Sequence, residues 1–244
     1  MPGTIFLSII IPAHNEEQRL ANTVAQLTAF LAQQAYPSEV IIVENGSQDR
    51  TLELARALAK QYTGLIVLHE DRIGKGLAVQ KGMLAAKGDY RFMCDVDFSM
   101  PISEINRFFP PTLINADIAI ASREAQGAQR FNEPTIRHIT GRAFNLMIRI
   151  LGLPEFHDTQ CGFKCFTSQA AERLFPHQTI HGWTFDVEIL YLARQAGFRI
   201  VEIPIPWFFN PDSKVNLLKD SLKMAVDLLT IRWNAWRGLY RVTE

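Results

Sequence analysis

Short apolar runs alternate with longer amphipathic segments along the first half of the chain. Five runs rich in apolar and β-branched residues predict buried strands: IFLSIIIP, EVIIVEN, LIVLHE, DYRFMCDVD and DIAIAS. Apolar residues recurring every three to four positions predict helices over 16–34, 48–62 and 77–86. Strands that alternate with helices favour a doubly wound α/β fold, with a mainly parallel sheet and helices on both faces.

The pattern is less regular in the second half. It predicts helices over 134–151 and 185–195, an extended segment FRIVEIPIPWFF, and a short strand within DTQCGFKCF. No linker of distinct composition appears before about residue 210. We therefore expect one domain over 1–210, followed by a helical segment over 211–244.

The C-terminal segment contains a strongly amphipathic stretch from 215 to 240. On a helical projection one apolar stripe forms from Leu218, Leu222, Ala225, Leu229, Trp233, Trp236 and Tyr240, widened by Leu217, Met224, Leu228, Ile231 and Leu239. Basic residues lie opposite the stripe: Lys219, Lys223, Arg237 and Arg241. Taken alone, the pattern favours a helix packed on its own domain, although it also suits a helix lying on an anionic membrane.

Composition narrows the classes of partner. The 25 basic residues balance the 25 acidic ones, so no overall charge attracts the chain to nucleic acid. The three cysteines suggest no disulfide framework, and a reducing compartment fits them best. Ordinary loop and core thiols account for Cys161 and Cys165 better than a zinc cluster with His157, because a fourth ligand is lacking nearby. No apolar run reaches the roughly 18 residues needed to span a bilayer.

Polar segments follow the predicted strands at five places. They are PAHNEE, ENGSQD, EDRIGKG, DVD and SRE. In a doubly wound sheet, ligands bind beyond the carboxyl ends of the strands. The five segments should therefore meet along one rim, and their convergence predicts a ligand site there.

Asp95 and Asp97 stand two residues apart at the end of an apolar run. If the strand continues through them, both side chains point to one face. Paired carboxylates suit a hard divalent cation, which keeps several waters and is shared with substrate phosphates. The alternative is a solvated strand end that leads into a turn.

The segment RIGKGLAV places Lys75 between two glycines. It matches neither standard phosphate-loop pattern, yet Lys75 could still reach a phosphate. A turn that starts a helix explains the segment equally well. Earlier in the chain, Asn-Gly within ENGSQDRT marks a turn, and Ser47 is the expected N-cap of the following helix.

The ordered set of motifs resembles the inverting family 2 glycosyltransferases, which have the GT-A fold. The resemblance rests on SIIIPAHNEE, VIIVENGSQDRT, GKGLAVQKG, DVDFSMP and ASR. In the second half, DTQCGFKCF, FDVEILYLA and PDSKVNLLKDSLKMAVDLLTIRWN are similar to the branch of dolichyl- and polyprenyl-phosphate glucosyltransferases. Two departures are Glu44-Asn45-Gly46-Ser47 in place of Asp-Asp-Gly-Ser, and Ala121 in place of the glycine in Gly-Ser-Arg.

The resemblance implies a role for each matching position. It implies a nucleotide-sugar half over about 1–123 and an acceptor half over about 124–210. Donor-binding residues would be Pro12, His14, Glu16, Glu44, Lys75 and Asp95. Asp97 and Asp95 would hold Mg²⁺ or Mn²⁺ and serve catalysis with Arg123, and the acceptor phosphate would be bound by Arg123, Arg142, Lys164, Ser213 and Lys214. Asp186 and Glu188 would bind sugar hydroxyls, act as a base, or orient a helix.

The implied reaction transfers a hexose, expected to be glucose from UDP-glucose, to a dolichyl or polyprenyl phosphate with inversion. With such an acceptor, the C-terminal helix is expected to hold the enzyme peripherally on the cytoplasmic face of a membrane. Two alternatives stay open within the family: another donor such as GDP-mannose, and a saccharide or protein hydroxyl as acceptor. A non-catalytic module that binds nucleotide sugars is a third, and the intact Asp95, Asp97 and Arg123 argue against it.

Overall fold

The computed structural model describes residues 4–134, 141–142, 145–149, 153–211 and 217–240 of the 244-residue chain. Nine strands lie within these ranges: β1 Leu7–Ala13, β2 Ser38–Asn45, β3 Leu65–Glu70, β4 Tyr90–Cys94, β5 Ile118–Ser122, β6 Gln129–Phe131, β7 Phe163–Thr167, β8 Ile200–Pro204 and β9 Pro206–Phe208. The α-helices with full bounds are α1 Leu20–Leu31, α2 Thr51–Gln61, α3 Lys75–Ala85, α4 Ser168–Leu174, α5 Phe185–Gln195 and α6 Leu217–Trp236.

Seven strands form the central sheet, in the order β3-β2-β1-β4-β7-β5-β8. All neighbours pair in parallel except β7, which runs antiparallel to both β4 and β5. Strands β6 and β9 form a separate two-stranded ribbon. The parallel strands end at one rim, so the loops after β1, β2, β3, β4 and β5 gather at the same edge of the sheet.

Two apolar clusters cover the two faces of the sheet. One contains buried side chains of α1 and α2, and the other contains side chains of α3, α4, α5 and α6. Residues of β1 are buried on both faces, which explains why its sequence is continuously apolar rather than alternating. The doubly wound α/β architecture predicted from the sequence is therefore confirmed.

Several predicted boundaries need correction. The strand ending in DYRFMCDVD stops at Cys94, so Asp95 and Asp97 lie in the turn that follows, and strand alternation does not orient them. Ser47 is not the N-cap of α2; that position belongs to Arg50, which makes no side-chain cap. Of the helix predicted over 134–151, residues 141–142 and 145–149 are helical, residue 134 is not, and the remainder lies outside the described residues.

Helix α6 has two apolar faces rather than one stripe. Leu228 and Ile231 are buried in the cluster that also contains side chains of α3, α4 and α5, and Met224 is buried as well. Tyr240, which the projection placed on the same stripe as Leu222 and Trp236, is buried in this cluster as well. The outer face exposes Leu222, Val226, Leu229, Trp233 and Trp236. Over the ranges that the structure describes, every helix is too short or too polar to cross a membrane.

Candidate active site

Asp95 and Asp97 open the turn after β4, at the carboxyl rim of the sheet. Asp97 Oδ1 accepts a hydrogen bond of 3.1 Å from the Ser99 amide, which fixes the turn. Asp95 is held against Gly162, where an added Cβ would lie 2.0 Å from Asp95 Oδ2. Because any other residue would collide with the carboxylate, Gly162 sets the space in which Asp95 sits.

Lys75 is the first residue of α3 and faces Asp95. Its Nζ lies 2.6 Å from Asp95 Oδ1 and 5.1 Å from the centre of the Trp183 ring. Burial opposes the charge on Lys75, but the Asp95 and Asp186 carboxylates outweigh it and raise the pKa of Lys75. The side chain is therefore an ammonium ion held within the carboxylate cluster.

The two glycines beside Lys75 let α3 approach the segment 178–184, which we call the strap. An added Cβ would lie 2.5 Å from His181 O at Gly74 and 2.7 Å from Ile180 O at Gly76. Gly76 also donates its amide to His181 O at 2.9 Å. The GKG motif thus packs the start of α3 tightly, which positions Lys75.

Asp186 lies on the first turn of α5, close to the same cluster. Lys164 Nζ is 2.9 Å from Asp186 Oδ1, and both side chains are buried. That contact lacks hydrogen-bond geometry, and no described residue donates a hydrogen bond to Asp186 Oδ1. Burial, opposed by Lys164 and Lys75, raises the pKa of Asp186. The Oδ1 atom therefore faces the Lys164 ammonium and is itself shielded from solvent.

Glu188, two residues after Asp186 in the first turn of α5, is fully buried, and several hydrogen bonds occupy its carboxylate. Its carboxylate accepts hydrogen bonds from the Thr179 amide and hydroxyl, from the Ile180 amide at 2.7 Å, and from the Tyr240 hydroxyl at 2.6 Å. It ties the strap to the residues that follow α6. The sequence left three roles open for Glu188. Its contacts fit the role of orienting a helix rather than that of binding a sugar.

Glu188→Ala is expected to lower the free energy of unfolding by about 3 kcal/mol or more, because it strands several buried donors. Chemical denaturation followed by circular dichroism measures the change. The control is Glu155→Gln, which removes an exposed 3.5 Å pair with Arg194 and should cost less than about 0.5 kcal/mol. Equal stability of the two variants would contradict the structural role of Glu188.

Arg123 directly follows β5 at the same rim, and it is held by a residue that the sequence analysis did not single out. Its Nε and Nη2 donate to Asp158 Oδ2 and Oδ1 at 2.6 and 3.0 Å, and its guanidinium lies 5.4 Å from the centre of the Trp207 ring. Burial of Asp158 opposes ionisation, but attraction by Arg123 outweighs it and lowers the pKa of Asp158 to about 2. The pair fixes Arg123 in place as a cation.

Hydrogen bonds link the loops that follow β1 and β2. Asn15, whose φ of 53° is left-handed, donates its amide to Ser47 Oγ, and its Oδ1 accepts from the Gln48 amide. His14 Nδ1 lies 2.7 Å from Asn45 O. Glu16 donates its amide to Thr51 Oγ1 at 2.7 Å. These contacts shape a rim segment that begins directly after β1.

Glu44 is buried at the end of β2. Its Oε1 accepts from the Ser47 amide at 2.6 Å, and its Oε2 lies 2.5 Å from His69 Nδ1. His69 also contacts Asp71, and the hydrogen bond with Glu44 is the main cause that raises the pKa of His69. Glu44 therefore supports the loop, and its longer side chain reaches His69 as well as the turn.

The structure brings most of the expected site residues together. Lys75, Asp95 and Asp186, with Lys164, form one charged cluster that Asp97 adjoins. Pro12, His14, Glu16 and Glu44 lie at the ends of β1 and β2, or just beyond, on the same rim. Arg142 is exposed, and Ser213 and Lys214 lie outside the described residues.

Sequence reasoning missed four residues that shape the site. Asp158 and Gly162 belong to the DTQCGFKCF segment, and Trp183 lies just before FDVE. His69 is the penultimate residue of β3 and directly precedes the polar segment EDRIGKG. The sequence carries no clear signal for these roles; the fold shows that Asp158 pairs with Arg123 and that Gly162 lies against Asp95.

The carboxylates suit a divalent cation that completes its shell from the substrate. Among the described residues no cluster of three His, Cys, Asp or Glu side chains could hold a metal alone. Asp95 and Asp97 supply hard oxygen ligands, and Gly162 leaves room beside Asp95. Two carboxylates with open positions fit Mg²⁺ or Mn²⁺ that also takes phosphate oxygens and waters.

Comparison with known proteins agrees with this geometry. The family model for glycosyl transferase family 2 matches residues 8–175. A dolichyl-phosphate beta-glucosyltransferase of Trichomonas vaginalis is 32% identical, over 100% of this chain and 75% of that protein. The dolichyl-phosphate beta-glucosyltransferase of Saccharomyces cerevisiae is 33% identical, over 97% of this chain and 77% of that protein.

Among solved structures, one neighbour is the glucosyl-3-phosphoglycerate synthase of Mycobacterium tuberculosis in complex with Mn²⁺ and UDP-glucose. The TM-score is 0.65 at 15% identity, over 98% of this chain and 80% of that one. At this identity the similarity shows a shared fold.

Proposed function

We propose that this chain, which belongs to glycosyl transferase family 2, transfers glucose from UDP-glucose to a dolichyl or polyprenyl phosphate with inversion at the anomeric carbon. The observation that carries the proposal is similarity at 30–34% identity, over nearly the whole chain, to several dolichyl-phosphate beta-glucosyltransferases. The paired carboxylates and the fixed arginine at the carboxyl rim support it. In this proposal residues 1–123 bind the donor and residues 124–210 the acceptor.

A lipid phosphate supplies its own nucleophile. A phosphate monoester has a second pKa near 6, so it is largely ionised at pH 7. Its oxygen attacks the anomeric carbon, a new carbon–oxygen bond forms, and the bond to the UDP diphosphate breaks. A cation bound by Asp97 and Asp95 would neutralise the charge that develops on the departing diphosphate. The protein then has to position the two substrates and exclude water.

Acceptor positioning is assigned to cations beyond the carboxylate pair. Arg123 is held rigidly by Asp158, and Trp207 packs against its guanidinium. We assign the acceptor phosphate to Arg123 and Lys164, and we extend the assignment to Arg142, Ser213 and Lys214. The donor is assigned to Pro12, His14, Glu16, Glu44, Lys75 and Asp95, with the transferred sugar against Asp186.

A hydroxyl acceptor is the second candidate, and Asp186 is the observation that favours it. A hydroxyl requires a general base, and a buried carboxylate with a raised pKa is suited to that role. With a phosphate acceptor, the same carboxylate would hold a sugar hydroxyl. The two functions predict different results when Asp186 is replaced. With a hydroxyl acceptor, catalysis should be lost at every pH; with a phosphate acceptor, it should persist.

A donor panel tests the proposed function. Purified protein, Mg²⁺ or Mn²⁺ and a short polyprenyl phosphate are combined with UDP-glucose, UDP-galactose or GDP-mannose. We expect nucleotide release that requires the lipid phosphate and is fastest with UDP-glucose. Faster turnover of GDP-mannose would reassign the donor, and no turnover of any donor would overturn the enzymatic proposal.

The outer face of α6 suits a membrane surface. Leu222, Val226, Leu229, Trp233 and Trp236 recur at alternating spacings of four and three, so they line one exposed apolar seam. The exposed residues Lys223, Arg232 and Arg237 flank this seam. Tryptophan is enriched at membrane interfaces, and each basic residue near an anionic surface contributes about 1 kcal/mol. We propose that α6 docks the enzyme on the membrane that carries its acceptor.

Replacing Leu229 and Trp233 with Gln is expected to lower binding to anionic vesicles about tenfold or more, because both side chains leave water on docking. Co-sedimentation with phosphatidylglycerol–phosphatidylcholine vesicles measures this, and high salt should weaken wild-type binding. Ile114→Gln, which changes an exposed apolar residue away from α6, is the control. Membrane docking would be contradicted if the wild-type protein did not bind these vesicles at low salt. It would also be contradicted if the substitutions abolished self-association of the protein and left vesicle binding unchanged.

A further inference from the structure

The ammonium group of Lys75 lies at the position expected for the divalent cation. Its ammonium lies 2.6 Å from Asp95 Oδ1, within the carboxylate pair assigned to the divalent metal. Asp186 and Asp97 add attraction, and the Lys75 side chain is only 14% exposed. An ammonium and a divalent cation repel each other strongly at such short range in a partly buried site. The present partner of Asp95 and the expected metal therefore compete for the same carboxylate.

The location of Lys75 is also unusual for a helix. It is the first residue of α3, where the helix dipole and the free backbone amides favour anions and disfavour lysine. A diphosphate at this end of α3 would meet both the amides and the ammonium. A lysine at this position therefore suits the binding of a diphosphate leaving group, although it does not stabilise the helix itself.

The surroundings allow the side chain to move while the backbone stays fixed. Gly74 and Gly76 are packed against the strap, so the Lys75 backbone is tightly held. Lysine carries its ammonium on a flexible four-carbon stem. The Trp183 ring, whose centre is 5.1 Å from Nζ, attracts the ammonium without help from Asp95. Asp186 lies near the same path.

We propose that Lys75 is an internal counter-ion which the divalent metal displaces from Asp95, and that the displaced ammonium then binds the diphosphate of the donor. This inference rests on the metal site of the proposed function. It makes metal and donor bind cooperatively, because the diphosphate provides the new partner that Lys75 needs once Asp95 is taken. Free metal binds weakly, and metal with nucleotide binds well.

Electron paramagnetic resonance of Mn²⁺ tests the exchange without turnover. In the absence of nucleotide, Lys75→Met should bind Mn²⁺ about tenfold more tightly than wild type, because it removes the competing charge. Lys75→Arg should resemble wild type. Lys81→Met makes the same charge change further along α3 and should alter the affinity less than about twofold.

The effect on nucleotide should have the opposite sign. With Mn²⁺ saturating, Lys75→Met should bind UDP about tenfold more weakly than wild type, since the diphosphate loses its ammonium. Equal Mn²⁺ affinity in wild type and Lys75→Met would overturn the exchange while leaving the metal site intact. Absence of Mn²⁺ binding in every variant, with UDP present, would overturn the metal site of the proposed function together with the exchange.

Discussion

Asp97→Asn is expected to lower glucose transfer on the order of a thousandfold while leaving the fold intact. Asp97 lies in the turn after β4, where its one described hydrogen bond is accepted from the Ser99 amide, and an asparagine oxygen can keep that bond. The change removes one of two negative charges that would hold the cation at the leaving diphosphate. Stability should therefore be nearly unchanged while the transition state loses its main charge neutralisation.

Initial rates with saturating donor and lipid phosphate measure the loss, and circular dichroism checks the fold. Asp117→Asn is the matched control, because Asp117 precedes β5 at the opposite end of the sheet and caps the Arg199 amide. Its transfer rate should stay within about twofold of wild type. Wild-type turnover by Asp97→Asn, or full turnover in excess chelator, would remove the metal from the account.

A polyprenyl phosphate is expected to be glycosylated at least a thousandfold faster than the matching polyprenyl alcohol. The phosphate arrives ionised and binds fixed cations. The alcohol must lose a proton before it attacks, and it carries no charge for those cations to bind. The ratio is measured with the same donor, metal and lipid length for both acceptors. The alcohol lacks both an ionised nucleophile and charge-assisted contacts with the enzyme, and the two losses combine in the rate.

Equal use of the alcohol would contradict the phosphate assignment and make Asp186 the candidate general base. Asp186→Asn separates the two cases. With a phosphate acceptor it should weaken donor binding and leave a measurable maximal rate. With an alcohol acceptor it should abolish the rate at every pH.

The alternation of strands and helices was enough to predict the sheet and the rim at which the polar segments gather. Each parallel strand is a short apolar run, and the polar segment after it must lie at the carboxyl edge. The same local signal could not show that β7 inserts antiparallel between β4 and β5, because pairing depends on tertiary neighbours. That insertion is what brings Gly162 beside Asp95 and Lys164 beside Asp186.

The roles of Glu188 and α6 show where sequence reasoning stopped. FDVEIL places two carboxylates on one helix. Only the structure shows that the Glu188 carboxylate is fully hydrogen-bonded to Thr179, Ile180 and Tyr240. Helical projection found the apolar arc of α6 but not its division into a buried and an exposed face. The role of Glu188 stayed open and the division of α6 was missed for one reason: a sequence pattern cannot say which positions another element covers.

The anomeric form of the product tests the central claim most directly. UDP-glucose carries an α-linked sugar, so direct attack by the lipid phosphate must give a β-linked product. Proton and phosphorus NMR of the lipid formed from UDP-glucose and a short polyprenyl phosphate reads both the linkage and the anomer. We predict a single β-glucosyl phosphodiester formed in equal amount with UDP. An α-glucosyl product, or release of free glucose without a phosphodiester, would contradict the account.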